Sequence, residues 1–191
     1  MIRKTDETFI SINDWERLSI ATGDTVFDHL LKTLFYYMGR DVKIEAKFDI
    51  RHHLWEDMGI VIGEFLKKST KGTTIKRFGT SILPMDDALI LVSLDISRAF
   101  FSINLNIELA ENGFEVGNFK EFISALSRTL PATIHVKQIN GENAHHIIEA
   151  SFKALGIALK QALQSSDRFE STNMVHYAES GLEVDNVERS E

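Results

Sequence analysis

Apolar and polar residues alternate at Val42, Ile44, Ala46 and Phe48 with Lys43, Glu45 and Lys47 between them, which is the period of a half-buried strand. Shorter alternating segments precede it at Thr8–Ile12 and Arg17–Ile20, and from Thr25 to Met38 the apolar spacing changes to three and four, which predicts a helix. A second helix follows Phe48 and runs to about Lys68. The same order then recurs. Ile75–Leu83, Ala88–Ile96 and Phe100–Leu109 read as strands, followed by a helix from about Asn118 to Thr129, a strand Thr133–Lys137 and a long helix Ala144–Leu163. The polar loop Lys68-Ser69-Thr70-Lys71-Gly72-Thr73 is the natural seam between them. The pattern therefore predicts an internally duplicated α+β fold, with one repeat over 1–72 and a second over 73–164. Each repeat carries a β-sheet covered on one face by helices, and the two share one helical core.

Composition narrows the chemistry. The chain has 191 residues, 43% of them apolar, enough for one good core or two fused small ones. It has no cysteine, so disulfides and thiolate metal sites are excluded, and a bound metal must be held by imidazole and carboxylate, which suits manganese, iron or zinc. The net charge of −7 removes the basis for nonspecific binding to nucleic acid or to an anionic membrane. The start is charged (Arg3, Lys4, Asp6, Glu7) and no run approaches the roughly 20 apolar residues of a membrane span, so the expected location is cytoplasmic. From Ser165 on, seven acids stand against two arginines, the composition of a mobile acidic tail over 165–191.

One motif is written twice, 93 positions apart: His52-His53-Leu54-Trp55-Glu56 and His145-His146-Ile147-Ile148-Glu149, with Gly63 matched by Gly156 and Leu66-Lys67 by Leu159-Lys160. Each copy sits where a strand delivers the chain into a helix. There residues i and i+4 project to one side and i+1 is turned by about 100°. His52 with Glu56 can thus face one ion while His53 faces another, and His145, Glu149 and His146 mirror them. Further donors are needed, and the preceding helix of each repeat supplies one: His29, 23 residues before the first pair, and Glu121, 24 before the second. A single histidine pair would read as a helix start with a surface imidazole. Two pairs with matched carboxylates and matched third donors point to a paired metal site.

These segments resemble the imidazoleglycerol-phosphate dehydratase family. Asn143–Ala154 looks like that family's second metal motif, Phe27-Asp28-His29-Leu30-Leu31 resembles its FDHML segment, and His52–Asp57 its HHTVED segment. Arg3–Thr8, Arg77-Phe78-Gly79 and Pro84–Leu89 add three matches in family order, so the resemblance spans roughly residues 3 to 163. It implies a ribosomal protein S5 domain 2-like fold and a hydro-lyase of histidine biosynthesis. That enzyme dehydrates D-erythro-imidazole glycerol phosphate to imidazole acetol phosphate, with two Mn2+ per active site at subunit contacts of a homo-oligomer of trimers, 24 subunits in all. The metal ligands it implies are His29, His52, His53, Glu56, His145, His146 and Glu149, with Glu121 at a place where some members have histidine. By the symmetry of the repeat, His52 and Glu56 would share an ion with His146 and Glu121, and His145 and Glu149 the other with His53 and His29. Arg77, Arg98, Lys153 and Ser171 resemble the family's phosphate contacts, and Glu7 its substrate-contacting acid; Glu7 or Glu149 would move the carbon proton. The proton to be removed is on an unactivated carbon, so the imidazole ring must relay electrons as a metal-bound imidazolate.

The chain departs from the pattern in places. Met38 stands where a histidine before a glycine is usual, Arg51 where an aspartate precedes the first pair, and Asp95–Ala99 lacks a family glycine, which loosens the assignment of Arg98. Asn173 stands where a lysine closes over the phosphate, and both Met38 and Arg51 are expected to alter the surroundings of the metals. Two other readings stay open: a family member acting on another imidazole or phosphate compound, and a non-enzymatic assembly cemented by metal. His135 is expected to face the core and His176 to lie exposed in the tail.

Overall fold

The computed structural model describes residues 1–107, 111 and 113–167. Along the chain these form β1 (Ile2–Lys4), β2 (Thr8–Asp14), β3 (Ser19–Ala21), α1 (Thr25–Met38), β4 (Val42–Phe48) and α2 (Arg51–Ser69). The order then repeats as β5 (Phe78–Met85), β6 (Ala88–Ile96), β7 (Phe100–Asn104), α3 (Val116–Thr129), β8 (Ala132–Asn140) and α4 (Ala144–Ala162). The two sheets have one topology, β1-β2-β4-β3 and β5-β6-β8-β7, with the last pair of each parallel and the others antiparallel. Alternation does what the sequence predicts. Ile10, Ile12 and Ile44 in one sheet and Ile90, Val92, Ile134 and Val136 in the other are buried, because residues two apart share a face.

Helices of one half pack on helices of the other. α1 lies on α4 and α2 on α3. Glycine makes the approach close enough: a Cβ at Gly156 would stand 2.5 Å from the carbonyl oxygen of Leu34, and one at Gly59 2.4 Å from that of Phe122. Between them, one fully buried ring from each helix fills the centre. Phe27 stacks on Trp55 at 4.0 Å, with Phe152 and Phe122 edge-on to Phe27 at 6.4 and 5.9 Å, geometries that favour aromatic pairs beyond their buried area.

All four helices start at one end of the molecule. The Arg51 guanidinium, at the first residue of α2, lies 2.8 Å from the carboxylate of Asp24, the N-cap of α1, and 3.6 Å from that of Glu115, the N-cap residue of α3. Phe114, just before α3, stacks on His145 of α4 at 4.5 Å. Asp24 and Asn143 cap α1 and α4 by accepting backbone N–H groups, and basic residues gather at the opposite ends, Lys67 and Lys68 on α2, Arg128 on α3 and Lys160 on α4.

Several expectations move. β1 is absent from the sequence pattern, since three residues are too short to show a period. β5 begins at Phe78 and not at Ile75, because Lys76 and Arg77 donate their backbone N–H groups to Gln164 and Ala162 at the end of α4. Arg77 takes φ 60° there, and its Nε and Nη2 both donate to Asp95 at 2.7 Å. His135 faces outward beside Phe100 and not into the core, because Ile134 and Val136 occupy the inner positions of β8. β7 ends at Asn104 and does not run on toward Leu109, since the Asn106 N–H goes to the Gln138 side chain instead of a strand partner. Leu109 itself and the tail with Ser171, Asn173 and His176 lie outside the described residues.

The helix contacts set a stability contrast. Gly156→Ala should cost about 1–3 kcal/mol by overpacking against Leu34 and Tyr37. Gly117→Ala, on α3 with open space around it, should gain about 0.5 kcal/mol from lower unfolded-state entropy. Denaturant unfolding at one protein concentration reads both, and equal effects would mean that the close approach of α1 and α4 is not what positions them.

The Asp95 carboxyl is held below its ordinary value by the hydrogen bonds from Arg77, which outweigh its partial burial. A depressed folded pKa contributes stability above the unfolded value of about 4, lost as pH falls through the folded one. Asp95→Asn should therefore cost about 1 kcal/mol at pH 7 and progressively less below pH ~4. A cost independent of pH would assign the effect to packing alone.

Candidate metal centre

The repeated motif opens α2 and α4, its first histidine the second residue of each helix, and the packing of α3 and α1 brings in the third donors. Two groups result. His29, His145 and Glu149 offer ligand atoms within 4.8 Å of one another, and so do His52, Glu56 and Glu121. Each group draws on both halves of the chain: α1 with α4 in the first, α2 with α3 in the second.

The first group is the more tightly held. Glu149 is buried, and one of its oxygens accepts from His29 Nε2 at 2.9 Å and His145 Nε2 at 2.8 Å, while the other lies 3.0 Å from Lys153 Nζ. Burial alone would raise this carboxyl, but the hydrogen bonds from His29, Lys153 and His145 prevail and lower it to about 2. Phe114 lies along the His145 ring, tilted by 28°. Beside Glu149 and Lys153 opens a cavity of about 350 Å3 lined also by Lys32, Thr33, Tyr36 and Tyr37. The second group is more open: Glu56 receives Arg128 Nη2 at 3.2 Å, and Arg128 also donates to Ser124.

His53 and His146 point away from both groups. His53 Nδ1 donates to Asp49 at 2.8 Å, with Glu7 at 3.6 Å, and His146 Nδ1 donates to Asp87 at 2.6 Å, with Asp86 3.3 Å from its Nε2. These bonds raise both imidazoles above the ordinary histidine value, His53 through Asp49 and His146 through Asp87. Asp87 is lowered in turn, first by the backbone N–H of Glu142, then by His146 and the N–H of Asn143. A proton fixed on Nδ1 leaves Nε2 as the ligand atom, the arrangement in which a histidine meets a metal.

The cations assigned to phosphate divide. Lys153 stands beside Glu149, whereas Arg77 bonds the last residue of α4, 17 residues and roughly 25 Å along the helix from His145. Arg98 lies close enough to Asp95 to lower it, at the same end as Arg77. Met38 is buried nine residues, or roughly 13 Å, along α1 from His29, so within the chain it touches neither group. Arg51 is engaged by Asp24 and Glu115 and serves to tie helix starts together. Pattern reading missed Asp49, Asp87, Phe114 and Arg128. Only Asp87 left a signal, in the hairpin turn that matches the one holding Glu7.

As for a resident metal, the donor set fits one: imidazoles and carboxylates converge without a thiolate, and two more imidazoles are held by carboxylates in the ligating tautomer. Among the described residues, no helix is long and apolar enough to cross a membrane.

Comparison with known proteins agrees with this architecture. The sequence profile described as imidazoleglycerol-phosphate dehydratase matches residues 22–159. The imidazoleglycerol-phosphate dehydratase of Pyrococcus furiosus is 50% identical over 92% of this chain and 99% of its own, and that of Thermoanaerobacter sp. is 44% identical over 88% and 92%. A crystal structure of the Pyrococcus furiosus enzyme superposes with TM-score 0.85 over 90% of this chain and 98% of that one. One from Staphylococcus aureus, 34% identical, gives 0.77 over 87% and 98%. A shared profile, half the residues in common and one fold throughout have a single account: the chain belongs to the imidazoleglycerol-phosphate dehydratase family of hydro-lyases.

Proposed function

We propose that this protein dehydrates D-erythro-imidazole glycerol phosphate to imidazole acetol phosphate in histidine biosynthesis, using two Mn2+ per active site. The observation that carries the reading is the pair of donor groups, His29/His145/Glu149 and His52/Glu56/Glu121, built across the two halves at the helix starts. When bound by these two groups, divalent ions would supply Lewis acidity to the substrate's imidazole, easing loss of its N–H proton so that the ring could release electrons toward the departing hydroxyl. The net change is loss of one carbon-bound hydrogen and one hydroxyl as water, leaving an enol that becomes the ketone.

The residues divide the remaining work. Glu149 has both oxygens engaged and a depressed pKa, which suits a ligand and not a base. Glu7 is exposed at a hairpin turn next to His53, free to approach substrate, and we assign it the carbon proton. Lys153 faces the cavity beside Glu149 and would hold the phosphate there. Arg77, Arg98 and Ser171 would complete the phosphate site. Because Arg77 and Arg98 stand far along the helices from His145, and His53 and His146 are turned outward, we propose that a second copy of the chain supplies them, in a homo-oligomer of trimers. In that assembly His146 completes the group of His52, Glu56 and Glu121, and His53 that of His29, His145 and Glu149. The repeats at 1–72 and 73–164 each contribute donors to both ions, and 165–191 forms the acidic tail.

The test is turnover of imidazole glycerol phosphate by the manganese-loaded chain, with elemental analysis alongside. Two ions per chain and formation of the acetol phosphate are expected. Fewer than two ions removes the dinuclear centre, and two ions without product points to another imidazole or phosphate substrate.

Asp87→Ala should weaken manganese binding by about 10- to 100-fold, since His146 would lose the group that fixes its tautomer. A titration showing unchanged affinity would mean that His146 is not a ligand.

A further inference from the structure

We infer that the two cation sites are chemically unequal, with His29/His145/Glu149 the nitrogen-rich site and His52/Glu56/Glu121 the oxygen-rich one, and that Glu121 is the residue that makes them so. The inference rests on the dinuclear reading above and goes beyond it. The first group offers two imidazoles and one carboxylate; the second offers one imidazole and two carboxylates. Their positions correspond through the repeat, except that the third donor is an imidazole on α1, His29, and a carboxylate on α3, Glu121. Adding one outward histidine to each leaves the difference intact.

Each group has a cation on one carboxylate, Lys153 3.0 Å from Glu149 and Arg128 3.2 Å from Glu56, so the difference between the groups lies in the donors themselves. In the second group Arg128 also offsets the repulsion between two carboxylates held close together, whereas in the first the single carboxylate is drawn in by its own two histidines. Imidazole favours zinc and nickel more than it favours manganese, while carboxylate oxygen suits manganese and magnesium. Zinc should therefore displace manganese from the first group well before the second. A mixed zinc–manganese centre becomes an accessible state of this protein.

The experiment starts from the full chain loaded with manganese and adds zinc, reading released Mn2+ by its free-ion paramagnetic resonance signal. The wild type should release one ion per chain with the first equivalent of zinc, and the second only at a free-zinc concentration at least about tenfold higher. Glu121→His should merge the two steps into one. Release of both ions from the wild type in a single step overturns the inequality, whatever the variant does. Two wild-type steps that persist in a folded Glu121→His protein, checked by its thermal unfolding, would overturn the assignment to Glu121. Failure of the wild type to load two manganese ions per chain at the outset would overturn the inference together with the dinuclear reading, and is told apart from the other outcomes because it appears before zinc is added.

Discussion

Everything at the candidate site depends on helices packing across the halves and not within them. His29 belongs to the first repeat while His145 and Glu149 belong to the second; they meet because α1 lies on α4, and α1 can lie there because Gly156 lets the Leu34 carbonyl approach. The second group has the inverse origin, two donors from the first repeat and Glu121 from the second, joined where α2 meets α3. A single repeat has an exposed helical face and an incomplete donor set at once. Burying the faces against each other is what brings the three donors of each group together, so folding of the core and convergence of these donors are one event.

That coupling explains why so much of the arrangement was legible in the sequence. α1 and β4 fall where periodicity sets them, residue for residue, as does β6, because each buries a regular stripe or face. The motif was legible for a similar reason: an i, i+4 pair on a helix must share a side, and repetition at fixed spacing makes coincidence a poor account. What periodicity could not give is direction beyond the first turn. The orientation of His53 and His146 is set by Asp49 and Asp87, one just before α2 and the other in a hairpin of the sheet, and no helical pattern contains either. His135 went astray against the pattern itself: Ile134 and Val136 alternate with Thr133, His135 and Lys137, so the period of two already sets it on the polar face.

Electrostatics runs along the helix axes. Four N-termini gather at the end that carries the histidines and carboxylates of both groups, so the positive ends of the helix dipoles share one region of the molecule. The far ends collect the lysines, and Arg77 with Arg98 lies there too. One chain thus carries its two candidate metal groups at one end and two of its three candidate phosphate cations at the other.

The repeats have kept the donor geometry and let the supporting residues drift. Lys153, which braces Glu149, corresponds at the repeat spacing to Ile60, which can form no such bond. The imidazole of His53 is fixed by Asp49, four residues earlier in the chain; the matching residue in the second half is Glu142, which instead gives its backbone N–H to Asp87, and Asp87 fixes His146. The same requirement, a carboxylate on Nδ1, is met from the strand end in one half and from the hairpin turn in the other. What orients a candidate ligand imidazole is the proton on Nδ1 and the direction it gives Nε2, and any carboxylate that reaches Nδ1 satisfies that requirement. Duplication supplied two equivalent helix starts; divergence between them was free wherever a different residue could do the same orienting, and was constrained at the imidazoles themselves.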